Sequence, residues 1–158
     1  MKQSEQTLSE QVREFHLVYG LPIESLPAVP EKAQLKLRLK LIAEEFCELL
    51  ESSGVELDPL ECNDSLYDKI LHSIEYRLNG EFDMVGVADA LGDIDYVVEG
   101  MRLVCGIDGK PIAHEIHRSN MSKLDEAGLP IYREDGKVCK GPFYTPPDIE
   151  TELYIQGY

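Results

Sequence analysis

Two long stretches of this 158-residue sequence, at about residues 30–53 and 82–105, carry apolar side chains at helical spacing. Pro30 opens the first stretch, Gly54 directly follows it, and Gly106 follows the second. Proline at the first helical position and glycine just past the last one are common boundaries of α-helices. Because long amphipathic helices bury their apolar sides by packing against each other, this pattern predicts an all-α bundle.

The rest of the chain adds shorter helices and a different C-terminal part. Helical spacing predicts three further segments, at residues 5–19, 65–78 and 111–124. Residues 131–140 are typical of two short extended pieces around an Asp-Gly turn, and prolines exclude regular helix up to Asp148. We therefore predict a single domain over residues 1–158, a four- to five-helix bundle. Its core spans about 5–125, and an extended arm follows over about 126–158.

Charge and apolar content limit the function classes. Thirty acidic against fifteen basic residues give a formal net charge of −15, which argues against binding duplex nucleic acid through its phosphates. A nucleotide would also be repelled unless divalent cations lie between it and the protein. No apolar run is long enough to cross a bilayer and no signal peptide is evident, so we expect a cytoplasmic protein without a membrane partner.

The first long helix carries an acidic patch. At about 100° per residue, Glu44, Glu45 and Glu48 fall within one arc. Leu37 and Leu41 fall on the same arc, so the patch continues an apolar strip and is expected to face partly inward. Like charges four residues apart also destabilise a helix unless something neutralises them. The alternative is the solvated face of an ordinary amphipathic helix.

The second long helix supplies two more carboxylates, Asp89 and Asp93, among mostly apolar neighbours such as Val85 and Val97. Acids on an apolar face are unfavourable to bury unless a cation or a hydrogen-bond donor satisfies them. Antiparallel packing of the two helices would bring five carboxylates together: Glu44, Glu45, Glu48, Asp89 and Asp93. An all-oxygen set of this kind predicts a Mg²⁺ or Mn²⁺ site and not a zinc site.

The order of these motifs resembles a known superfamily. E-E-x-x-E at residues 44–48, D-x-x-x-D at residues 89–93 and H-R-S-N-M-S-K at residues 117–123 are similar to the MazG-like all-α NTP pyrophosphatases. That superfamily includes phosphoribosyl-ATP pyrophosphohydrolase-like proteins and dimeric dUTPases, and the resemblance covers roughly residues 8–150. It implies Mg²⁺-dependent hydrolysis of a nucleoside triphosphate to the monophosphate, expected to be a dNMP, and pyrophosphate. It also implies a homodimer or homotetramer.

The resemblance also implies roles for the acidic residues. Carried over by position, the metal ligands are Glu45, Glu48, Asp89 and Asp93, and Glu44 is a further ligand or orients the attacking water. A carboxylate not used for metal, Glu44 or Glu45, is the candidate general base. The sequence departs from the superfamily at Ala90, where many members have glutamate. The resemblance then implies that Asp89, one residue earlier, takes the part of that glutamate.

Cationic and polar residues are the candidates for substrate binding. The resemblance implies that Asn120 and Lys123 meet the phosphate or the sugar, and Lys123, Arg38 and Lys140 are candidates to supply positive charge to the leaving pyrophosphate. The alternative for Asn120 and Lys123 is an ordinary surface pair. The alternative for Arg38 is a solvated side chain beside its neighbouring lysines.

Other functions remain open or are excluded by spacing. His114 and His117 stand three residues apart, whereas the H-E-x-x-H zinc motif needs four. Two non-enzymatic functions remain as alternatives. One is a helical module whose carboxylates bind a structural cation, and the other is an adaptor whose acidic face meets a basic protein. Neither would release pyrophosphate from nucleotides.

Overall fold

A computed structural model describes residues 6–56, 66–78 and 80–158 of the chain, and the predicted all-α fold is confirmed in these ranges. The described residues contain isolated β-bridges in place of strands. Of the helix predicted at residues 65–78, the start at residue 65 lies outside them. The helices are α1 (Leu8–Val18), α2 (Lys32–Ser52), α3 (Leu66–Tyr76), α4 (Met84–Cys105), α5 (Gly109–Met121) and α6 (Ile149–Gln156).

Local sequence signals explain most helix ends. Thr7 and Glu10 form a capping box at the start of α1, in which each satisfies a backbone N–H of the other residue. Gly54 and Gly106 follow α2 and α4 with φ of +83° and +67°, a conformation that glycine adopts without strain. The start of α2 is later than predicted, because Pro30 precedes the N-cap residue and does not open the helix.

One compact unit comprises residues 1–21 and 30–101, and within it the two long helices run antiparallel, as predicted. A Cβ atom added to Gly86 near the start of α4 would lie 2.7 Å from Ser52 Oγ at the end of α2. One added to Gly100 near the end of α4 would lie 2.8 Å from Arg38 Nη1 near the start of α2. The glycines therefore allow the helices to approach closely.

The buried apolar core of this unit is small for its helix content. In the described residues it consists of Val12, Leu50, Val55 and Ala90. Several large apolar side chains of α2 and α4 remain exposed, among them Leu37, Leu39, Met84, Val85 and Leu91. Among the described residues, the apolar length of every helix falls short of what a bilayer crossing requires.

The two ends of the segment between α2 and α4 contact each other. Val55 and Leu78 form an isolated antiparallel bridge, and Gly80 N donates to Gly54 O at 2.9 Å. A Cβ atom on Gly54 would lie 2.6 Å from Gly80 O, so only glycine fits this crossing. The chain thus enters and leaves this segment at one point.

The second compact unit comprises residues 22–29 and 102–158. The predicted extended pieces form one antiparallel bridge, Tyr132 with Val138, around the Asp135-Gly136 turn. The prolines exclude helix up to Asp148, and the arm then ends in a helix that the sequence did not indicate, α6, which begins after the N-cap Asp148. Gln156 of α6 accepts from Asp108 N at 2.9 Å, so this short helix depends on a partner 48 residues away in sequence. The single-domain prediction stays a prediction.

Candidate active site

The register of α2 against α4 places two of the acidic motifs opposite each other. Two contacts agree on this register, one from Ser52 at the end of α2 and one from Arg38 in its second turn, and each involves a glycine of α4. Halfway between them, seven residues or about two turns from each contact, α2 presents Glu45 and α4 presents Asp93. The three facing levels are Arg38 with Gly100, Glu45 with Asp93, and Ser52 with Gly86.

Glu45 is the electrostatic centre of the acidic cluster. Its pKa is raised above the ordinary value, first by burial and then by the negative charges of Glu48, Asp93, Glu44 and Asp89. These four carboxylates come from both motifs and both helices, and each of them acts on the charge of Glu45. The raised pKa means that the ionised cluster is unfavourable until positive charge compensates it.

The donor chemistry of this cluster fits a hard divalent cation. Glu45 is half-buried, whereas Glu44, Glu48, Asp89 and Asp93 are exposed and accessible to solvent. Carboxylate oxygens are the ligands that Mg²⁺ and Mn²⁺ prefer. Within residues 6–56, 66–78 and 80–158, however, no three His, Cys, Asp or Glu side chains are arranged to hold a metal ion in this conformation. The assignment of individual metal ligands stays a prediction.

A shallow, open surface depression of about 430 Å³ lies along α2 beside the cluster. Glu44 and Glu48 line it together with Lys40, Cys47 and Glu51. Since the depression carries both a lysine and several carboxylates, it has positive charge close to the acidic motif.

Arg38 lies in the interior of the unit, which the sequence did not indicate. It is 7% exposed, and its Nη2 donates to His16 Nε2 at 3.0 Å. Because arginine has no acceptor, His16 must be neutral there, with its proton on Nδ1. Burial lowers the pKa of Arg38. The expected phosphate contact stays a prediction, and in this conformation it would require the guanidinium to leave His16.

An aromatic group lies next to the acidic residues of α4. Tyr96, one turn after Asp93, meets Phe15 of α1 edge to face at 5.7 Å between ring centroids. Phe15 also contacts Tyr19 at 4.3 Å. The pKa of Tyr96 is raised by burial, and then by Tyr19 and Glu14. These contacts hold α1 against α4 beside the cluster.

The H-R-S-N-M-S-K segment fastens the C-terminal arm to α5. Arg118 donates two hydrogen bonds to Glu115, at 2.8 and 2.7 Å, and one each to Thr145 Oγ1 and Pro146 O. Glu115 also accepts from Asp148 N at 2.7 Å. These bonds lower the pKa of Glu115 to about 2, with Arg118 as the largest cause. Glu115 therefore joins α5 to the start of α6.

Two serines of the same segment hold the arm as well. Ser119 Oγ donates to Thr145 O at 2.8 Å, and Thr145 N donates to Ser122 Oγ at 2.9 Å. The sequence pointed to Asn120 and Lys123 in this segment but missed Arg118, Ser119 and Ser122. Arg, Ser and Thr are common surface residues, and no spacing rule links them to a loop more than twenty residues away.

The predicted substrate-binding residues of this second unit have defined surroundings. Asn120 is exposed on α5, and Lys123 O accepts from Gly141 N at 3.0 Å. Lys140 Nζ lies 4.3 Å from the centroid of the Tyr144 ring, a cation–π contact. None of these observations tests substrate binding, so the roles of Asn120, Lys123 and Lys140 stay predictions.

A known protein family matches most of the helical region of this chain. The family model described as phosphoribosyl-ATP pyrophosphohydrolase matches residues 12–120, which include both acidic motifs. Among solved structures, the chain is similar to a protein from Exiguobacterium sp. 255-15 described as a "putative NTP pyrophosphohydrolase". The two are 25% identical over 97% of this chain and 95% of that chain, with a TM-score of 0.41. No curated protein matches the chain significantly.

Proposed function

The chain belongs to the phosphoribosyl-ATP pyrophosphohydrolase family and is a nucleotide pyrophosphohydrolase, and we propose that it hydrolyses a nucleoside triphosphate with the help of Mg²⁺. The products would be the monophosphate, most simply a dNMP, and pyrophosphate. Mn²⁺ is the natural substitute, because it prefers the same oxygen ligands. The observation that carries the proposal is the raised pKa of Glu45 among four other carboxylates.

The proposed cation holders are Glu45, Glu48, Asp89 and Asp93. Their positions on facing sides of α2 and α4 support this assignment, because Glu45 and Asp93 lie at one level of the helix pair. When bound, Mg²⁺ neutralises phosphate charge and lowers the pKa of a coordinated water. The protein's own contribution is to fix the carboxylates on two rigid helices.

The proposed general base is Glu44 or Glu45. Glu45 is half-buried and has a raised pKa, which brings its proton affinity closer to that needed at neutral pH. Glu44 is exposed and lines the depression on α2, where solvent water reaches it. Either carboxylate would take a proton from the water that attacks the phosphorus. Asn120, Lys123, Lys140 and Arg38 are the proposed contacts to phosphate or sugar.

We also propose that the protein acts in the cytoplasm as a homodimer or homotetramer. Exposed apolar side chains on both long helices support an oligomer, since Leu37 and Leu39 of α2 are 51% and 54% exposed. Large exposed apolar surfaces mark sites of protein association. The net charge of −15 supports a protein that does not bind duplex nucleic acid.

A panel of nucleoside triphosphates, assayed for pyrophosphate with and without MgCl₂, tests this function. Release of one pyrophosphate and one monophosphate per substrate, abolished by EDTA and restored by Mg²⁺, is the expected result. Release of orthophosphate alone would contradict the proposed bond cleavage. Release of pyrophosphate without metal would contradict the role given to the carboxylates. If no nucleotide of the panel released pyrophosphate, the result would favour the alternative of a non-enzymatic binding module.

A further inference from the structure

A turn of the C-terminal arm, at residues 141–145, is held against α5 by hydrogen bonds that the proposed hydrolysis does not use. Ser119 Oγ donates to Thr145 O at 2.8 Å, and Thr145 N donates to Ser122 Oγ at 2.9 Å. Arg118 Nη1 donates to Thr145 Oγ1 at 2.7 Å. We call these four residues the Thr145 clamp: Arg118, Ser119, Ser122 and Thr145. Its bonds satisfy both backbone groups and the hydroxyl of Thr145 from α5 and its C-cap residue.

The clamp is polar, and apolar burial contributes little to the position of the turn. Ser119 is 3% exposed, whereas Phe143 inside the turn is 65% exposed. A buried hydroxyl or backbone group that loses its hydrogen-bond partner is unfavourable, because water does not replace that partner fully. The position of the turn therefore depends on the hydroxyls of Ser119 and Ser122.

The clamp also determines where Lys140 lies. Tyr144 N donates to Gly141 O at 3.2 Å, so a tight turn joins the clamped residue to Gly141. Gly141 N donates to Lys123 O at 3.0 Å, and a Cβ atom on Gly141 would lie only 2.1 Å from Leu124 O. The backbone at residues 140–141 is therefore in contact with the backbone at residues 123–124, and each of these two segments carries one lysine.

Both lysines have ammonium groups that an anion can use. Lys140 is exposed, and its Nζ lies 4.3 Å from the centroid of the Tyr144 ring, a contact that limits the motion of the side chain. In the part of the chain that the structure describes, neither Lys123 nor Lys140 has a carboxylate within ion-pair distance. Because two neighbouring cations repel each other, an anion that both of them contact is favoured.

We propose that the Thr145 clamp holds Lys140 beside Lys123 so that the two ammonium groups together bind the terminal phosphates of the nucleoside triphosphate, the part that leaves as pyrophosphate. Ser119, Ser122 and Thr145 are then positioning residues, which act on the substrate through Lys140. Lysine suits this task because its ammonium group is a compact charge with three donors. The inference rests on the proposed function, in which both lysines contact phosphate, and adds the device that brings them together.

A double-mutant cycle tests whether the clamp acts through Lys140. Ser119→Ala with Ser122→Ala removes the hydroxyls that hold Thr145 and keeps α5 intact, since alanine is the best helix former. We expect this clamp variant to raise KM roughly three- to ten-fold and to leave kcat within about two-fold, because phosphate binding is weakened alike in the ground and transition states. Lys140→Ala should raise KM roughly ten-fold, the usual effect of losing a hydrogen bond to a charged group.

The combination of the two changes carries the decisive result. It should raise KM no further than Lys140→Ala alone, because the clamp then has no lysine to position. Ser122→Thr keeps a hydroxyl at this position and should retain the KM of the wild type. If the effects of the clamp variant and of Lys140→Ala multiplied, the two would act independently, and the proposal would be overturned.

Two variants in the same unit are matched controls. Lys137→Ala removes the same charge from the same arm three residues before Lys140, and Ser25→Ala removes an exposed hydroxyl. Neither should change KM by more than about two-fold, as expected of a surface substitution. An equal effect of Lys137→Ala and Lys140→Ala would show that net charge controls binding and would overturn the role of position.

Hydrogen exchange checks that the clamp variant does what it is designed to do. Amide exchange at Thr145 should be faster than in the wild type, because its N–H donates to Ser122 Oγ. Circular dichroism should report an unchanged helix content. Unchanged exchange at Thr145 would show that the serines do not hold the turn, and it would overturn the inference.

Titration calorimetry with pyrophosphate in the presence of Mg²⁺ separates this inference from the proposed function, because it measures binding without turnover. The Kd for pyrophosphate should rise in the clamp variant and in Lys140→Ala by the same factors as KM. Equal binding by the wild type and Lys140→Ala would overturn the inference and leave the proposed hydrolysis intact. If the wild type hydrolysed no nucleotide, the proposed function would fail, and the calorimetric cycle would still decide whether the clamp positions Lys140.

Discussion

At the residue scale, the decisive side chain is Glu45. Its neighbours make it the most strongly perturbed carboxylate of the acidic cluster, because burial and four like charges all raise its pKa. Its folded pKa exceeds the unfolded value, so the protonated form is favoured by folding. The stability that Glu45 contributes is therefore fully present below pH 4.5, the unfolded value, and is lost as the pH rises through the raised pKa.

We expect Glu45→Gln to raise the melting temperature of the metal-free protein at pH 7.5, because it removes the charge and keeps the shape. The same variant should lose at least about 100-fold in kcat, the usual contribution of a general base or a ligand at this position. Calorimetry and a pyrophosphate assay measure the two effects. Glu126→Gln, at an exposed position outside the helices, is the matched control and should change neither quantity.

The sequence predicted these carboxylates but not the surroundings of Arg38. The acidic spacing on α2 and α4 carries over directly into the facing pair Glu45 and Asp93, because helical periodicity is a local property. The burial of Arg38 depends on His16 and on the missing side chain of Gly100, which come from two other helices. Such a contact is set by tertiary packing, and a single sequence contains no periodic signal for it.

At the element scale, the α2–α4 pair depends on glycine at particular positions of α4. We expect Gly100→Ala to destabilise the protein by roughly 1–3 kcal/mol, the usual effect of overpacking. Its new methyl group would lie 2.8 Å from Arg38 Nη1 and 3.2 Å from His16 Nε2. Urea unfolding monitored by circular dichroism measures the change.

Gly92 is the matched control for this substitution, because a Cβ atom there would meet no atom within 4 Å. Gly92→Ala should stabilise the protein by roughly 0.5–1 kcal/mol, the helix-propensity difference between the two residues. If both variants destabilised the protein equally, close approach of α2 would not explain the glycine at position 100.

The hydrogen bonds that attach the C-terminal arm to α5 depend on pH through Glu115. The pKa of Glu115 is lowered to about 2, so its bonds to Arg118 and Asp148 N are fully present above pH 4.5 and are lost as the pH falls through about 2. We expect Glu115→Gln to speed amide exchange at Asp148 at neutral pH, measured by hydrogen exchange. His117→Ala, at an exposed neighbour, should leave that exchange unchanged.

Element boundaries followed the sequence where the signal was local. Gly54 and Gly106 follow α2 and α4 as predicted, since the freedom to adopt a positive φ is a property of glycine itself. The helix α6 was missed because its eight residues lack an amphipathic pattern and depend on Asp148 and on the distant Asp108. The roles of Ser119 and Ser122 were missed because their partner, Thr145, is also distant in sequence.

At the scale of the whole molecule, net charge controls stability. With a formal charge of −15, the folded chain repels itself, and added salt screens this repulsion. We expect the melting temperature to rise by roughly 2–4 °C between 50 and 500 mM NaCl, corresponding to about 1 kcal/mol. At matched ionic strength, MgCl₂ should raise it further, because a bound cation stabilises the folded state by mass action.

The extra rise in melting temperature with MgCl₂, compared with NaCl at the same ionic strength, tests where the divalent cation binds. It should vanish in Glu45→Gln and Asp93→Asn, whereas the NaCl effect should persist in both variants. Calorimetric scans of the three proteins in the two salts are sufficient. An equal Mg²⁺ effect in all three would place the divalent cations elsewhere on the acidic surface.

The closed ends of the segment between Gly54 and Gly80 bear on how this molecule changes over evolutionary time. Because the chain departs and returns at one backbone crossing, with Val55 bridged to Leu78, lengthening or excising what lies between need not shift the helices that carry the carboxylates. Insertions between these two glycines are therefore expected to leave the helices that carry the carboxylates in place.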